Sequence, residues 1–322
     1  MVRRPDARLT GACRPRPGAP PGWHTGRIAR KLPAVPYTAP PPPPLPPRPP
    51  RGTLQLPAVR QVELTAPLHW LALGWRDLWR CGAPSLLHGL LLALFGTLLL
   101  LLARDRFWLL AGAFSGFLVV APVLATSLYA LSRALERGEP ADWRTIRKTW
   151  TRWQYSRFAV HGGYWSLVRF GLLLSLAGTG WVLTSAALIT LLAPQPVHTP
   201  MDFVRHVVLA PGGHLFELWL TLGALMAAPL FASSVVAMPL LLDRRVDVLQ
   251  AVLTSWQTVL TNPGAMALWA ALIMGLTLLG MATALLGLIV VLPWLGHASW
   301  HAYRALVDAS TLPERQPPEG VR

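Results

Sequence analysis

The sequence predicts an all-α, polytopic transmembrane helical bundle with six spans. Of its 322 residues, 53% are hydrophobic and 13% are charged, whereas soluble domains carry about 25% charged residues. Apolar runs of about 20 residues recur from residue 84 onward, which is the length that a helix needs to cross a bilayer. Lys and Arg concentrate between these runs in one loop, at 132–163, as is typical of a cytoplasmic loop.

The first 58 residues are predicted to be a disordered Pro/Arg-rich tail. They hold 17 of the 32 prolines, including PPPPPLPPRPP at 40–50, and such a composition cannot bury a core. The tail could be an arm for anionic lipid or a polyproline-binding partner, or it could come from a mis-assigned start, with the true start near 54–59. We expect a helical membrane domain at 59–308 and a short cytoplasmic tail at 309–322.

The first predicted span, 84–103, follows an amphipathic segment, HWLALGWRDLWR, at 69–80. Helical spacing places apolar side chains on one face and charged side chains between them, which predicts a helix lying in the membrane interface. The predicted apolar face consists of Leu71, Trp75, Leu78 and Trp79, and the charged residues between them are Arg76, Asp77 and Arg80.

Further apolar runs predict the remaining spans. The second is 107–131, the third is 168–193 and the fourth is 215–242. The last run, 264–307, has 44 residues and is too long for one crossing, so it must break. It forms either a pair of spans or one span and an interfacial helix, and the second arrangement would give five spans in total.

An internal repeat favours six spans. Aligning Pro122 with Pro293 pairs residues 116–135 with 287–306, and eight of the twenty pairs are identical. Repeats of this kind are common in membrane folds, so 284–303 is predicted to be the sixth span. With the basic loop inside, both termini are expected in the cytoplasm of a bacterium, and the chain in its inner membrane. Helix kinks are expected at Pro122, Pro239 and Pro293.

A second amphipathic segment lies in the basic loop, ADWRTIRKTWTRWQYSR at 141–157. Its mixture of tryptophan and basic residues predicts a helix that binds anionic lipid headgroups. The residues expected at this lipid interface are Trp143, Arg144, Arg147, Lys148, Trp150, Arg152 and Trp153.

Charged residues at the ends of spans are interpreted as cytoplasmic anchors. Asp243 and Arg244 close the fourth span, with Asp247 expected to cap the next helix. Arg133 and Arg304 occupy equivalent places in the two repeat copies. The alternative, a gate or docking site at residues 243–247, stays open.

Two groups of residues are weak candidates for cofactor or metal binding. His297 and His301 are four residues apart, so on a helix they share a face and could hold a haem or metal; the alternative is an aromatic and basic belt at the membrane interface. The second group falls in the loop that is expected to face outward, where solvated side chains are the alternative. Its members are Asp202, His206, His214 and Glu217. No cofactor is predicted.

The segment at 238–272 and the motif LGHASWHAYR at 295–304, with GWRDL and SRALERGE, resemble an uncharacterised family of bacterial integral membrane proteins, domain of unknown function 2189. The resemblance implies a helical inner-membrane protein and supplies no established activity. Some members carry the label cytochrome c oxidase subunit I. An oxidase core needs about six intramembrane histidines, and only His88, His297 and His301 fall in or near spans, which argues against that activity.

The sequence contains no nucleophile triad, P-loop, dinucleotide fingerprint or metalloprotease motif. We therefore expect a non-enzymatic structural or assembly role, with the lipid bilayer and other membrane proteins as partners and no nucleic acid. A small-solute transporter or channel is the first alternative, and its weakness is that no buried charge is evident. A haem- or metal-binding protein linked to the respiratory chain is the second.

Overall fold

The computed structural model describes residues 56–103, 125–155, 165–210 and 214–315, and these residues are mainly helical. Pro122 and most of the predicted second span lie outside the described residues. In chain order the elements are β1 (Ala58–Val59), α1 (Ala66–Cys81), α2 (Ala83–Ala103), α3 (125–136), α4 (Trp143–Tyr155), α5 (Trp165–Leu192), α6 (Pro200–Phe203), a π-helical turn (Val204–Val208), α7 (Leu215–Ser234), α8 (Ala237–Asp243), α9 (Val248–Thr261), α10 (Pro263–Ala282), α11 (Leu288–Leu306) and β2 (Val307–Asp308).

Within the described residues, four segments are long and apolar enough to cross a membrane. They correspond to the predicted first, third, fourth and fifth spans, and they confirm an all-helical membrane protein. Leucines along these segments are exposed, as expected of side chains that face lipid. The four segments are Ala83–Leu101, Ser166–Leu192, Leu215–Asp243 and Pro263–Ala282.

The long apolar run at 264–307 breaks between α10 and α11, as its length required. Ala284 and Leu285 have φ angles of 53° and 69°, a left-handed conformation that is uncommon outside glycine and asparagine. The Thr283 hydroxyl holds the turn, since it donates to the carbonyl of Gly280 and accepts from the amide of Gly287 at 2.7 Å. The chain therefore reverses within five residues.

Of the three prolines predicted to kink helices, the structure describes Pro239 and Pro293, and these two affect their helices differently. α7 ends at Ser234 and α8 begins at Ala237, and Pro239 has no N–H to donate to the carbonyl of Val235 at this break. Pro293 lies inside α11, which continues through it to Leu306.

α1 packs against α11 with a face that differs from the predicted one. Leu71 and Leu78 are buried as expected, but Trp75 and Trp79 are 41% and 54% exposed, and Asp77 is only 3% exposed. Gly74 is the reason, because a Cβ atom there would lie 2.6 Å from the backbone nitrogen of Ala298. The close approach of α11 to Gly74 turns Asp77 inward and leaves the tryptophans outside.

Residues near both ends of the described chain are held to the helices by strand pairing and hydrogen bonds. β1 pairs with β2 in antiparallel register, with Val59 opposite Val307. The Asn262 side chain accepts from the amide of Val62 and donates to the carbonyl of Arg60. Residues 309–315, placed in the C-terminal tail by the sequence, pack against the end of α8, where the amide of Arg315 donates to the carbonyl of Asp243 at 2.9 Å.

Candidate functional site

A chain of buried polar side chains lies where α1, α2, α3 and α11 meet. We call it the junction cluster. Each of the four helices contributes at least one member, so the cluster forms only when the fold is complete. Its members are Asp77 from α1, Ser85 from α2, Ser132 from α3, and His297 and His301 from α11.

The hydrogen bonds of the junction cluster are short and continuous. Ser85 Oγ lies 2.8 Å from Nε2 of His297, and Nδ1 of the same ring lies 2.7 Å from Ser132 Oγ. Ser132 Oγ lies 2.9 Å from Oδ2 of Asp77, which is also 2.7 Å from Nε2 of His301. The chain thus joins two imidazoles through a hydroxyl and a carboxylate.

The single proton of Ser132 constrains its neighbours. When Ser132 donates to Asp77, it must accept from the N–H at Nδ1 of His297, and Nε2 then accepts from Ser85. When Ser132 turns its proton to His297, the ring carries its hydrogen on Nε2 and donates to Ser85. The first arrangement accompanies an ionised Asp77, which accepts from Ser132 at 2.9 Å, and the second requires a proton on Asp77 Oδ2 to complete the same contact.

The carboxyl of Asp77 stays ionised although it is buried. Burial by itself raises the pKa of Asp77, but the hydrogen bond from His301 and the positive charge of that ring, together with the bond from Ser132, outweigh it. The pKa of Asp77 therefore lies below its ordinary value. The junction cluster contains a stable buried negative charge.

The order serine, histidine, serine, aspartate resembles that of a nucleophile, its base and the groups that orient the base. Ser85, however, is 0% exposed. The amides of Ser85 and Leu86 both donate to the carbonyl of Gly82, so neither is free to stabilise an oxyanion. The cluster is suited to holding and moving protons rather than to acyl transfer.

His297 and His301, the two candidates for a haem or metal, each bond to protein side chains in the structure. Both ring nitrogens of His297 are hydrogen-bonded to serine hydroxyls, and His301 is bonded to Asp77. His297 is also wholly buried rather than placed in an interfacial belt. In the described part of the chain, no group of three or more His, Cys, Asp or Glu side chains could hold a metal ion.

Among the outward-loop candidates, Asp202 and His206 are close enough to interact electrostatically, but no three of the four form a group that could hold a metal ion. Asp202 caps α6, since its carboxylate accepts from the amides of Thr199 and His198 while its own amide donates to the Thr199 hydroxyl. These bonds lower the pKa of Asp202, the Thr199 amide most strongly. His206 lies in the π-helical turn, and His214 and Glu217 lie exposed at the start of α7.

The predicted anchors form a second buried polar group, around Asp243. Its carboxylate accepts from the Tyr303 hydroxyl and from Nε of Arg244, each at 2.9 Å, and Arg133 and Arg137 approach within 3.7 Å and 3.6 Å. These contacts tie the end of the fourth span to α3 and α11, so Asp243 is buried and is not a solvated anchor.

The remaining predicted anchors have local roles. Arg304 pairs with Glu136 of α3 at 2.9 Å. Asp247 accepts from the amide of Gln250 at 2.7 Å and caps α9, as expected.

The predicted lipid-binding helix is α4. Its Ile146 packs on a small apolar cluster formed by Cys81, Leu128 and Leu131, which α1 also reaches through Cys81. Trp143, Arg144, Arg147 and Lys148 are exposed on α4, as are Trp75, Arg76, Trp79 and Arg80 on α1. The side chains of Trp150, Arg152 and Trp153 lie outside the described residues. The eight exposed side chains constitute what we call the basic surface.

Sequence reasoning missed three members of the junction cluster, namely Asp77, Ser85 and Ser132. A signal for Asp77 was available, because Trp70, Gly74 and Cys81 share its helical face and are small or apolar. Ser85 and Ser132 carried no such signal, since serine near a helix end is common and its burial depends on tertiary contacts.

Residues 109–243 match the model of a family described as "Predicted integral membrane protein (DUF2189)". The resemblance inferred from the sequence is thereby confirmed over 109–243, which includes SRALERGE at 132–139. The GWRDL segment, most of 238–272 and the motif at 295–304 lie beyond the match. This description contains no cytochrome c oxidase label. No curated protein and no solved structure matches the chain.

Proposed function

We propose that the protein is a non-enzymatic structural or assembly component of the bacterial inner membrane, which turns its basic surface toward the anionic headgroups of the cytoplasmic leaflet. The observation that carries the proposal is the placement of α1 and α4. Both helices pack inward on the cluster containing Cys81, while the eight side chains of the basic surface stay exposed.

The chemistry of the basic surface suits a lipid interface. Tryptophan is favoured where an apolar membrane interior meets water, and Trp75 lies edge-on to Trp79 and Trp294, with ring centroids 5.4 and 5.0 Å apart. Each nearby Lys or Arg contributes about 1 kcal/mol of attraction to an anionic leaflet. The combination favours anionic headgroups over neutral ones.

Six spans with both termini in the cytoplasm would complete this arrangement. By their apolar sequence, residues 107–131 and α11 would supply the two crossings beyond the four apolar segments, and the basic loop at 132–163 would then face the cytoplasm. A surface of this kind would let the bundle hold anionic lipid beside other membrane proteins and help to assemble them.

The lipid preference can be measured on the full chain. Native mass spectrometry of the purified protein titrated with anionic or neutral phospholipid should show preferential retention of the anionic lipid. Arg147→Gln should weaken that retention by about fivefold, which is the effect of about 1 kcal/mol. Equal retention of both lipids by the unaltered protein would refute the proposal.

A matched control separates this effect from a general loss of charge. Arg205 is also exposed, but it lies in the loop between α5 and α7, which is placed on the opposite side of the membrane. Arg205→Gln should leave anionic lipid binding unchanged. An equal loss in both variants would show that net charge, and not the basic surface, sets the preference.

A small-solute transporter or channel is the second candidate, favoured by one observation. The sequence showed no buried charge, but Asp77, Asp243 and His297 are all buried in the structure, and buried ionisable residues in membrane proteins often line pathways. Substrate-dependent flux into proteoliposomes, lost in Asp77→Asn but kept in the Arg205→Gln control, would support this function. Flux that is unaffected by Asp77→Asn would count against it.

A further inference from the structure

We propose that His301, Asp77 and Ser132 form a proton relay that connects the surface of the protein, at His301, to the buried imidazole of His297. This activity is independent of lipid binding and would hold whether or not the basic surface acts as proposed. The hydrogen bonds of the junction cluster are continuous from one histidine to the other, and the two histidines differ in exposure.

The two histidines occupy opposite ends of the relay. The His301 side chain is 16% exposed, so water can reach it and exchange protons with it. His297 is 0% exposed, and both of its nitrogens face hydroxyl groups. Its N–H can exchange with water only if the surrounding structure opens or if neighbouring groups pass protons to it.

Each step of the relay is balanced in protons. Protonated His301 gives the hydrogen on Nε2 to Oδ2 of Asp77, so one N–H bond breaks and one O–H bond forms. Asp77 then passes this proton to Ser132 Oγ while Ser132 gives its own proton to Nδ1 of His297. In the state in which Asp77 carries the proton, Ser132 donates to Nδ1 and the His297 hydrogen lies on Nε2 toward Ser85, so the ring ends the transfer as a cation.

The charges at the two ends remain compensated. Before the transfer, the His301 cation lies 2.7 Å from the Asp77 carboxylate. Afterwards the His297 cation faces the same carboxylate through Ser132, and Ser85 and Ser132 both accept from its ring. Asp77 is ionised in both end states, so no net charge is buried without a partner.

Other titratable groups around His297 do not interrupt this path. From α1 the ring faces Asp77, with Cys81 beyond it; from α2 it faces His88; and from α11 itself it faces His301. His88 bonds the carbonyl of Pro84 through Nδ1 at 2.7 Å and takes no part in the chain. In the described residues of α3, the acid Glu136 is bonded to Trp300 and Arg304.

The relay is tested by the exchange of imidazole protons in the full chain, reconstituted in lipid nanodiscs with ¹⁵N-labelled histidine. The His297 signal is assigned by its loss in His297→Gln. In the unaltered protein, the His297 N–H should exchange with water at a rate close to that of His301. If it is instead as protected as the backbone amides of α11, the relay does not exist.

Two variants show whether the path runs through the named groups. His301→Gln keeps a donor for Asp77 but cannot take up a proton, and Ser132→Ala removes the central hydroxyl. Each should slow exchange at His297 by about a hundredfold, the low end of what a positioned proton donor contributes. His69→Gln, at an exposed site on α1, and Ser299→Ala, which removes bonds to the Leu295 carbonyl and to Tyr129 outside the junction cluster, are the controls.

The outcomes are distinct. The relay is supported if the His297 N–H exchanges slowly in the two test variants while both control variants keep the exchange rate and the melting temperature of the unaltered protein. Unchanged exchange in His301→Gln overturns it, because protons then reach His297 by another route. If Ser132→Ala fails to fold, His301→Gln and the unaltered protein still decide the question.

Discussion

Gly89 of α2 lies against the carbonyl oxygen of Ile289 in α11, so closely that a Cβ atom on Gly89 would overlap it. Ile289 comes four residues before Pro293, whose nitrogen has no hydrogen to donate to that carbonyl. The carbonyl of Ile289 therefore lacks its usual helical donor because of Pro293, and the same carbonyl lies against Gly89 of α2. This contact fixes the distance between the first span and the helix that carries His297.

Gly89→Ala should destabilise the protein by about 1–3 kcal/mol, the usual cost of overpacking. The atom that the new methyl group meets belongs to the backbone and cannot turn aside. Gly275→Ala in α10 is the control, because nothing lies within 4 Å of a Cβ there. Thermal unfolding in detergent measures both, and equal melting temperatures would contradict the close contact.

Asp77→Asn should lower stability by about 3 kcal/mol at neutral pH, the low end of the cost of breaking a buried pair. Because the pKa of Asp77 is below its ordinary value of 3.8, the contribution of the carboxylate to stability is present above that pH and is lost as the pH falls through the folded-state pKa. The difference in melting temperature between the two proteins should therefore shrink in acid. A difference that is constant down to pH 2 would mean that this carboxyl is not ionised in the fold.

Asp243→Asn should cost about 3–5 kcal/mol, because it leaves the guanidinium groups of Arg133, Arg137 and Arg244 without their buried counter-charge. Tyr303→Phe removes one hydrogen bond to the same carboxylate and should cost about 1 kcal/mol. Melting temperatures of the two variants check the order. A larger loss from the tyrosine substitution would show that the charges contribute little.

Asn262→Ala should release the segment that leads into α1. Both polar atoms of the side chain bond this segment, at Val62 and Arg60. Limited proteolysis should then cut near residues 56–62 much faster, with the helical content unchanged. Thr261→Ala, at the neighbouring position, is the control, and equal cleavage in the two variants would show that β1 and its pairing with β2 hold the segment unaided.

The helical membrane class was predictable because it depends on composition and run length, which are local properties. The spans at α2, α5 and α10 follow directly from apolar stretches of sufficient length. The break near 283–287 was also predictable, since no single helix of 44 residues fits a bilayer. The sixth span predicted at 284–303 places this break within a few residues of the observed one. The conformation of the turn was not predictable, because Ala284 and Leu285 adopt a left-handed conformation that their residue types do not favour.

The candidate site was predictable only in part. The spacing of His297 and His301 identified a shared helical face, and both residues belong to the junction cluster. Their partners Asp77 and Ser132 lie about 165 to 225 residues away in the chain, and local patterns carry no information about such contacts. The sequence therefore indicated where chemistry could occur but not which groups would meet there.

The central claim is that the basic surface faces the cytoplasm and that the loop bearing Arg205 faces the opposite side. Single cysteines at these places test it directly, with Cys13→Ser as the parent and the buried Cys81 left in place. In intact bacterial cells, a membrane-impermeant maleimide should label Arg205→Cys, and it should label Arg147→Cys only after the membrane is permeabilised. Labelling of Arg147→Cys in intact cells would place the basic surface outside and contradict the account.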